Sequence, residues 1–329
     1  MTVLDSMQAT LGPFSLDTWS KQGTSVVVIR AHNGEALSDH HDVVHQFARD
    51  HLTREGAILF RGFAKGSVGD FNAFARSFGH ELASYEFAST PRSKIESGVY
   101  SSTEYPADQW IPQHNEQAYT LRWPLKIWFY CDTPAEEGGE TPVVDSRSVF
   151  RKLRPELREL FARKKLMYVR NYGNGLDLPW HQVFQTERRE EVEAFCRAQD
   201  IQWEWLDDGR LRTRQLCQAV TTHPLTGENL WFNQAHLFHV SGLAKDVRES
   251  LLEIVEEEDL PRNVYFGDGT PIDDELLEEI RTVYLDGLFA FPWEEGDVLM
   301  LDNMLVTHGR APFKGKRRVL VAMAETFPS

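Results

Sequence analysis

The chain has 329 residues, of which 41% are hydrophobic and 26% are charged, a composition that suits a globular protein with a substantial buried core. Its formal net charge of −15, from 50 acidic and 35 basic side chains, repels phosphate backbones and therefore disfavours nucleic-acid binding. The longest apolar runs, such as Val298–Leu301, are too short to span a bilayer, which disfavours a membrane protein.

The first part of the chain combines predicted strands with predicted helices. The β-branched run over residues 24–31 predicts a strand, and the spacing of apolar residues over His40–Arg54 predicts an amphipathic helix. Gly56–Gly62 follows as a buried strand bounded by glycines. A second helix is then predicted, with Asp70 as its cap and Gly79 as its end.

From about residue 98 the pattern becomes mainly β, then helical, then β again. Short strands are predicted over Ser97–Ser102, Leu125–Asp132, Thr141–Asp145, within Gln202–Val220, and over Asp297–Leu301, Leu305–His308 and Val319–Thr326. Helices are predicted over residues 147–163, 186–199, 243–258 and 273–285. The predicted strands therefore lie towards both ends of the chain, and a mostly helical block separates them.

This order of elements predicts one domain over residues 1–329, mainly β with helices. It suits a β-sandwich or jelly roll with a long helical insertion over roughly residues 147–290. It does not suit a regular alternation of strands and helices. Neither glycine-rich nucleotide motif, GxGxxG or GxxxxGK[ST], occurs, so nothing in the sequence supports a nucleotide cofactor.

Three residues form a candidate metal site. On an extended segment, residues two apart point to the same side, so His114 and Glu116 can aim an imidazole and a carboxylate at one point. His308, near the C-terminus, adds a second imidazole. Two histidines and one carboxylate make the facial triad of non-haem iron(II) oxygenases, which leaves positions on the metal open. Taken singly, the first pair could be a polar surface loop and His308 a core or turn histidine.

Two adjacent arginines, Arg317 and Arg318, open an apolar strand ten residues after His308. If residues 305–308 and 318–325 pair as antiparallel strands, an arginine at this offset lies near the metal. A guanidinium there would bind a carboxylate bidentately, as a dicarboxylic co-substrate requires. Alternatively, an arginine pair at a strand start extends into solvent.

Several stretches make the resemblance to a known family specific. They run through most of the chain and are Gly56–Phe63, Tyr100–Pro106, His114–Glu116, Gly138–Pro142, Trp231–Gln234, Asp302-Asn303, His308–Arg310 and Arg317–Met323. With these stretches the chain resembles the TauD/TfdA family of 2-oxoglutarate dioxygenases. More narrowly, it is similar to the clavaminate-synthase-like and syringomycin-biosynthesis branch, in which the carboxylate ligand is glutamate.

The resemblance implies a double-stranded β-helix fold and an enzyme that uses iron(II), 2-oxoglutarate and O2. His114, Glu116 and His308 correspond to the iron ligands. Arg318 corresponds to the arginine that binds the distal carboxylate of 2-oxoglutarate, and Thr141 to the threonine that hydrogen-bonds the same carboxylate.

Two departures from relatives bear on the reaction. The Glu116 side chain is one methylene longer than the aspartate of most relatives, so the backbone there must lie slightly farther from the metal. Four residues past Arg318 the chain has Ala322, where the taurine enzyme keeps an arginine for its sulfonate, which argues against taurine. Halogenating relatives replace the carboxylate ligand by a smaller residue, whereas Glu116 is retained here. Hydroxylation of an unactivated C–H bond is therefore favoured over halogenation, with desaturation or cyclisation as alternatives.

The resemblance implies an amino acid or an amino-acid-derived small molecule of natural-product biosynthesis as substrate, either free or tethered to a carrier protein. The acidic net charge favours a free molecule, because carrier proteins are usually acidic too. Polar residues of the matching stretches are candidate substrate contacts, each with a structural hydrogen bond as the alternative. They are Arg92, Glu104, Arg122 and Asn233, with Gln234 and His236 as further candidates.

Two rival functions use the same residues. A zinc-dependent hydrolase could use the three ligands, but it would need no second carboxylate anchor at Arg318 and Thr141. A non-catalytic scaffold would be marked by the loss of a ligand, and none is lost. The three cysteines match no zinc or disulfide pattern, and the N-terminus has no secretory pattern, so the sequence predicts a cytoplasmic protein.

Overall fold

The computed structural model describes residues 14–83, 94–102, 105–173 and 175–328. The strands of this part of the chain are β1 (Phe14–Lys21), β2 (Thr24–Ala31), β3 (Ala57–Arg61), β4 (Lys94–Glu96), β5 (Val99–Ser101), β6 (Ile111–His114), β7 (Trp123–Thr133), β8 (Glu137–Gly138), β9 (Val143–Asp145), β10 (Leu166–Tyr172), β11 (Ile201–Trp205), β12 (Leu211–Cys217), β13 (Val220–Thr222), β14 (Asn229–Trp231), β15 (Arg262–Phe266), β16 (Val298–Asp302), β17 (Val306–Arg310), β18 (Phe313–Lys314) and β19 (Arg318–Phe327). Its α-helices are α1 (His41–Glu55), α2 (Val68–Arg76), α3 (Ser146–Lys152), α4 (Pro155–Lys164), α5 (Trp180–Val183), α6 (Arg189–Ala198), α7 (Ala235–Phe238), α8 (Lys245–Ile254) and α9 (Asp274–Gly287).

Two sheets pack face to face and form the jelly roll predicted from the sequence. The large sheet has eight strands in the order β1-β2-β3-β16-β7-β19-β5-β4, and the small sheet has the order β6-β17-β9. One apolar core joins them, since Leu299 and Val321 of the large sheet share it with Val143 and Val306 of the small sheet. Strands that are distant in the sequence thus meet around a common interior.

Alternation along β19 sorts its side chains between the two faces of the large sheet. Val319, Val321 and Met323 face the core between the sheets. Leu320 and Ala322 face the other side, where the side chains of α1 and α2 cover the sheet. The period of two that defines a strand therefore decides which residues of β19 look towards the small sheet.

The expected pairing of residues 305–308 with 318–325 is wrong. β17 pairs with β6 and β9, whereas β19 pairs with β7 and β5. After β16 the chain passes through Asp302 and Asn303 to the opposite sheet before β17 begins. The two strands therefore belong to different sheets.

The start of α2 also differs from the prediction. Ser67, not Asp70, is the N-cap, and its hydroxyl accepts a hydrogen bond from the Asp70 backbone N–H at 3.2 Å. The Asp70 carboxylate in turn accepts from the Ser67 N–H at 2.7 Å. This reciprocal capping box satisfies two N–H groups at the helix start, so Asp70 is the third helical residue.

The segment between β9 and β16 is less helical than predicted. Besides its helices it contains an antiparallel four-stranded sheet in the order β11-β12-β10-β15 with its own apolar packing, and β10 and β15 were not expected. The single helix expected over residues 147–163 is two helices, because Pro155 begins α4 and Arg154 before it is extended. The division into one jelly-roll domain and an insertion over roughly residues 147–290 stays a prediction.

The cysteines and the helices each bear on one of the expectations from the sequence. Cys131, Cys196 and Cys217 are free and buried. Burial raises the pKa of the Cys131 thiol to about 12. Among the described helices, none combines the length and apolar character of a membrane span.

A buried ion pair ties β3 to the turn before β16. Arg61 Nε donates to Asp297 Oδ1 at 3.0 Å, and Arg61 Nη2 donates to the Pro292 carbonyl at 2.7 Å. The two side chains are only 3% and 0% exposed. Removing the Asp297 charge would leave the buried Arg61 with only the half-exposed Glu294, whose Oε1 atom lies 3.0 Å from Arg61 Nη1, as a charged partner.

We therefore expect Asp297→Asn to lower the free energy of unfolding by about 3 kcal/mol. Urea denaturation followed by circular dichroism measures the change as a lower midpoint. Arg318→Gln is the matched control, because Arg318 is 47% exposed and its ion pair with Asp132 should contribute at most about 1 kcal/mol. Equal midpoints for the two variants would contradict the expected importance of the buried pair.

Candidate metal centre and co-substrate pocket

The three candidate metal ligands come from neighbouring parts of the small sheet. His114 ends β6, Glu116 lies in the turn that follows, and His308 lies in β17 directly opposite His114. Residues opposite each other in an antiparallel pair present their side chains on the same face. The two imidazole centroids are 4.4 Å apart, and one ligand atom from each of the three residues lies within 4.8 Å of the others. The pairing of β6 with β17 thus brings together residues that are far apart in the sequence. The hydrogen bond from the Thr307 hydroxyl to Gln113 Oε1 joins the same two strands, and its partners are 194 positions apart.

This donor set fits a divalent iron ion. The Nδ1 atom of His114 lies 2.9 Å from the Pro112 carbonyl, and since a carbonyl only accepts, Nδ1 carries the proton. Nε2 is then left with the lone pair that a metal needs. His308 Nε2 is 3.7 Å from Glu116 Oε2, so a carboxylate oxygen and a second imidazole nitrogen converge on the same place. Two imidazoles and one carboxylate would leave coordination positions open for co-substrate and dioxygen.

Asn303 clamps the backbone of Glu116. Its Oδ1 atom accepts the Glu116 N–H at 2.7 Å, and its Nδ2 atom donates to the Glu116 carbonyl at 3.0 Å. Nδ2 also donates to the Pro124 carbonyl at 2.8 Å. Asn303 is fully buried, so these bonds are shielded from water. The clamp determines where the longer Glu116 side chain starts, which sequence reasoning did not foresee.

Glu116 lies in the turn that follows β6, which we call the ligand turn. Polar side chains near this turn form hydrogen bonds inside the protein. Asn233 donates to the Ala219 carbonyl at 2.8 Å and accepts from the Ala235 N–H at 3.0 Å. Asn233 is fully buried, so the expected substrate contact is replaced by two internal hydrogen bonds. A polar side chain that satisfies distant backbone groups cannot be distinguished from a pocket residue by sequence alone.

Gln234 and His236 have similar structural roles. Gln234 Nε2 donates to the Asn115 carbonyl at 2.7 Å, which braces the turn between the ligands. His236 Nε2 lies 2.9 Å from the Gln113 carbonyl. Burial lowers the pKa of His236 to about 4, so its ring is neutral at physiological pH. Both residues therefore hydrogen-bond to the backbone of residues next to the candidate ligand His114.

A small pocket opens beside the two histidines. Phe129 of β7 packs against His308 with ring centroids 4.9 Å apart. The polar lining of the pocket includes Thr141, Arg310 and Arg317. Thr141 is buried, and its hydroxyl accepts a hydrogen bond from Trp293 Nε1 at 3.2 Å. The hydroxyl proton of Thr141 is therefore available to a bound anion.

The structure places Arg317, not Arg318, in this pocket. Arg318 is 47% exposed and donates to Asp132 at 3.3 Å on the outside of the large sheet. Arg317 shares the inward side of the chain with Val319 and Val321, because side chains alternate along β19. The role that the resemblance assigned to Arg318 therefore does not fit the position of its side chain. The register of β19 against β7 also shifts between Arg318 and Val319.

Arg317 is held rigidly at the end of the pocket. Its Nε atom donates to the Gly139 carbonyl at 2.8 Å, and its Nη1 atom donates to Ser102 Oγ at 3.3 Å. Burial, together with the nearby Arg310, lowers the pKa of Arg317 to about 10, which leaves it a cation at neutral pH. Gly139 allows this approach, since an added Cβ would lie 3.0 Å from the Arg317 side chain.

Arg310 is a pocket residue to which the sequence analysis gave no role. Its guanidinium donates to the carbonyls of Tyr105 at 2.9 Å and Gln109 at 2.8 Å, and also to that of Pro106. It thereby fixes the loop over residues 105–109 beside the pocket. The sequence signal was its spacing, because Arg310 lies two residues after His308 and so on the same face of β17.

The remaining expected substrate contacts are Arg92, Glu104 and Arg122. Arg92 and Glu104 are outside the described residues. Arg122 lies on a separate, larger cavity between β7, β19 and the insertion, not on the pocket beside the histidines.

The sequence matches one family model and several known proteins. Residues 22–323 match the model of the family described as "Taurine catabolism dioxygenase TauD, TfdA family". The dapdiamide synthesis protein DdaC of Enterobacter agglomerans is 43% identical over 279 residues, which cover 84% of this chain and 85% of that protein. A clavaminate synthase-like protein of Arabidopsis thaliana is 31% identical over 284 residues, which cover 83% of each chain.

Solved structures share the fold at low identity. The PvcB protein of Pseudomonas aeruginosa aligns with a TM-score of 0.57 and 15% identity, over 95% of this chain and 91% of that chain. Another structure of PvcB, with a TM-score of 0.55, 15% identity and the same coverage, is described as an Fe, alpha-ketoglutarate dependent oxygenase from an isonitrile synthetic pathway. The predicted jelly roll and the predicted class of enzyme, an iron- and 2-oxoglutarate-dependent dioxygenase, are confirmed. With a family match over most of its length, the chain belongs to the taurine catabolism dioxygenase TauD, TfdA family.

Proposed function

We propose that this protein hydroxylates an unactivated C–H bond of an amino acid or amino-acid-derived small molecule in natural-product biosynthesis. His114, Glu116 and His308 would hold iron(II), and Thr141 and Arg317 would bind 2-oxoglutarate. The relative at 43% identity is a dapdiamide synthesis protein, which supports a natural-product role. When bound, iron(II) would supply the activation of dioxygen that is coupled to oxidation of 2-oxoglutarate.

One observation carries this proposal: a buried guanidinium shares a pocket with the candidate metal ligands. Arg317 lines the same pocket as His114 and His308. An α-keto acid that reaches the metal with its keto-acid end needs a cation for its far carboxylate, and a planar guanidinium suits that carboxylate. Two of the five Arg317 N–H groups bond to Gly139 and Ser102, so others are available.

The chain's other side chains would orient the co-substrate and restrict its surroundings. The Thr141 hydroxyl would donate to the same carboxylate, while Trp293 fixes the position of its oxygen. Phe129 forms an apolar wall beside His308. A pocket with apolar walls strengthens the attraction between Arg317 and a carboxylate, because little water screens it.

The positions around Arg317 also bear on the substrate. Four residues past Arg317 the chain has Val321, and four past Arg318 it has Ala322, so neither alignment offers an arginine for a sulfonate. Taurine is therefore disfavoured as substrate, whichever of the two arginines binds 2-oxoglutarate. Glu116 keeps a carboxylate in the metal site, which favours hydroxylation over halogenation. The free, buried cysteines support a reducing, cytoplasmic compartment.

A zinc-dependent hydrolase is the rival that uses the same three ligands. Anaerobic titration of the iron(II) protein with 2-oxoglutarate separates the two functions. We expect the weak visible charge-transfer band of the chelate to appear and to saturate at one equivalent. Glu116→Ala is the matched variant in which the band should weaken, and the zinc-loaded protein is the spectroscopic blank. Absence of the band from the iron(II) protein would contradict the proposed function.

A further inference from the structure

A second cavity, of about 410 Å³, lies at the opposite end of β19 from Arg317. We call it the Arg122 chamber. Its polar lining consists of Glu81, Gln117, Thr120, Arg122, Gln199, Gln215 and Thr326. Its size falls in the range of small-molecule sites, which is roughly 300–1,000 Å³.

The strand register places the candidate metal site between Arg317 and this chamber. Val321 of β19 lies opposite Phe129, whose ring packs against His308. Arg317 is four residues, or about 13 Å, to one side of Val321. Met323, which lines the chamber, is two residues, or about 7 Å, to the other side. Co-substrate and chamber therefore lie on opposite sides of the metal site.

The ligand turn connects the two sites directly. Gln117, which lines the chamber, immediately follows the candidate ligand Glu116. Pro124 also lines the chamber, and the Asn303 amide bonds to both its carbonyl and that of Glu116. A molecule in the chamber would therefore contact the segment that carries the metal ligand.

Charge on the chamber wall indicates what it binds. Arg122 makes no side-chain hydrogen bond or ion pair with another described residue, although most described arginines are paired. Glu81 on the same chamber likewise has no such partner among the described residues. Gln117 and Gln199 add neutral donors and acceptors. A cation, an anion and amides around one cavity suit a zwitterion that carries both a carboxylate and an ammonium group.

We propose that the Arg122 chamber binds the substrate through a free carboxylate held by Arg122, with Glu81 facing its amino group. This inference rests on the proposed function and deepens it, because it makes the substrate a free amino acid or dipeptide. An aminoacyl group tethered to a carrier protein has its carboxyl group in a thioester. It therefore offers no anion to Arg122, and the free molecule is the substrate class that the chamber selects.

The test compares acids with derivatives that lack the negative charge. The iron(II) protein is supplied with 2-oxoglutarate and O2, and succinate release is measured with free amino acids and dipeptides, each alongside its C-terminal amide and its N-acetylcysteamine thioester. The enzymes are wild type, Arg122→Gln, Arg122→Lys and Arg163→Gln. Arg163 is an exposed arginine of α4 without a side-chain partner among the described residues, so it controls for loss of a surface charge.

We expect wild type and Arg163→Gln to prefer a free acid over its amide and thioester. In Arg122→Gln, the KM for that acid should rise about 30-fold or more, and the preference over the amide should disappear. Arg122→Lys should keep part of the preference, because it retains a point charge but loses the bidentate geometry. Loss of discrimination, and not only of rate, separates carboxylate binding from a general structural defect.

The outcomes separate this inference from the proposed function. The charge-transfer band with 2-oxoglutarate should be unchanged in Arg122→Gln, which shows that its metal site is intact. If wild type gives the band but no compound of the panel stimulates succinate release, the amino-acid assignment is overturned. An acid preference that persists in Arg122→Gln, or thioesters that serve as well as acids, would also overturn it. Absence of the band from wild type would instead contradict the proposed function itself.

Discussion

Replacing His308 by alanine is expected to abolish 2-oxoglutarate turnover. His308 offers one of the three ligand atoms that lie within 4.8 Å of one another, and its ring is buried against Phe129. Residues that only orient a metal ligand are worth roughly 10–100-fold in affinity or activity, so removal of a ligand should cost at least about 100-fold. Succinate release measures turnover, and calorimetric titration with Co(II) under anaerobic conditions measures the metal affinity without any turnover.

His32→Ala is the control for this experiment. His32 is exposed, and its side chain forms a hydrogen bond with Ser15, whose strand β1 is far from the small sheet in the sequence. Its turnover and metal affinity should match those of wild type. Wild-type succinate release by His308→Ala, or an unchanged Co(II) affinity, would show that His308 is not a metal ligand. The assignment of His114 and Glu116 would then lose its geometric basis.

The Arg317→Leu substitution is expected to weaken 2-oxoglutarate binding far more than the Arg318→Leu substitution. Arg317 lines the pocket beside the histidines, whereas Arg318 is 47% exposed and bonded to Asp132. Loss of one partner of a buried, hydrogen-bonded charge pair costs about 3 kcal/mol, which corresponds to roughly 100-fold in the KM for 2-oxoglutarate. An exposed substitution changes a free energy by about 0.5 kcal/mol, so Arg318→Leu should change this KM by about twofold at most.

Arg317→Leu and Arg318→Leu change the same residue type at adjacent positions, so a difference between the two variants reports the position of the guanidinium and not its chemistry. The dissociation constant of 2-oxoglutarate, taken from the anaerobic charge-transfer band, should follow the KM. Arg317→Lys should lie between wild type and Arg317→Leu, since lysine keeps the charge and loses the planar fork. A large effect at Arg318 with a small effect at Arg317 would reverse the assignment and restore the one suggested by the sequence resemblance.

The clamp on the ligand turn explains how the long side chain of Glu116 is accommodated at this position. Asn303 bonds both backbone groups of Glu116, and its own carbonyl accepts from Asn115 Nδ2 at 2.6 Å. The turn is therefore held from both directions by buried hydrogen bonds. A fixed backbone lets a longer and more flexible side chain deliver its carboxylate to one place.

Local sequence patterns were sufficient for much of the fold and for the choice of the candidate metal ligands. β2 occupies the residues predicted for it, and α1 differs from its prediction by one residue at each end. Such elements follow from apolar periodicity and flanking glycines, which act over a few residues. The histidines and the glutamate stand in motifs specific enough to indicate iron and 2-oxoglutarate from the sequence alone.

Tertiary structure alone decided which arginine faces the pocket and which polar side chains form hydrogen bonds within the protein. A shift of one residue along a strand turns a side chain to the opposite face, so Arg317 and Arg318 differ completely although they are neighbours. Asn233 and Gln234 bond to groups 14 and 119 residues away, and sequence periodicity carries no information about such partners. The Arg122 chamber joins segments from residue 81 to residue 326, and only the packing of the insertion against the large sheet brings them together.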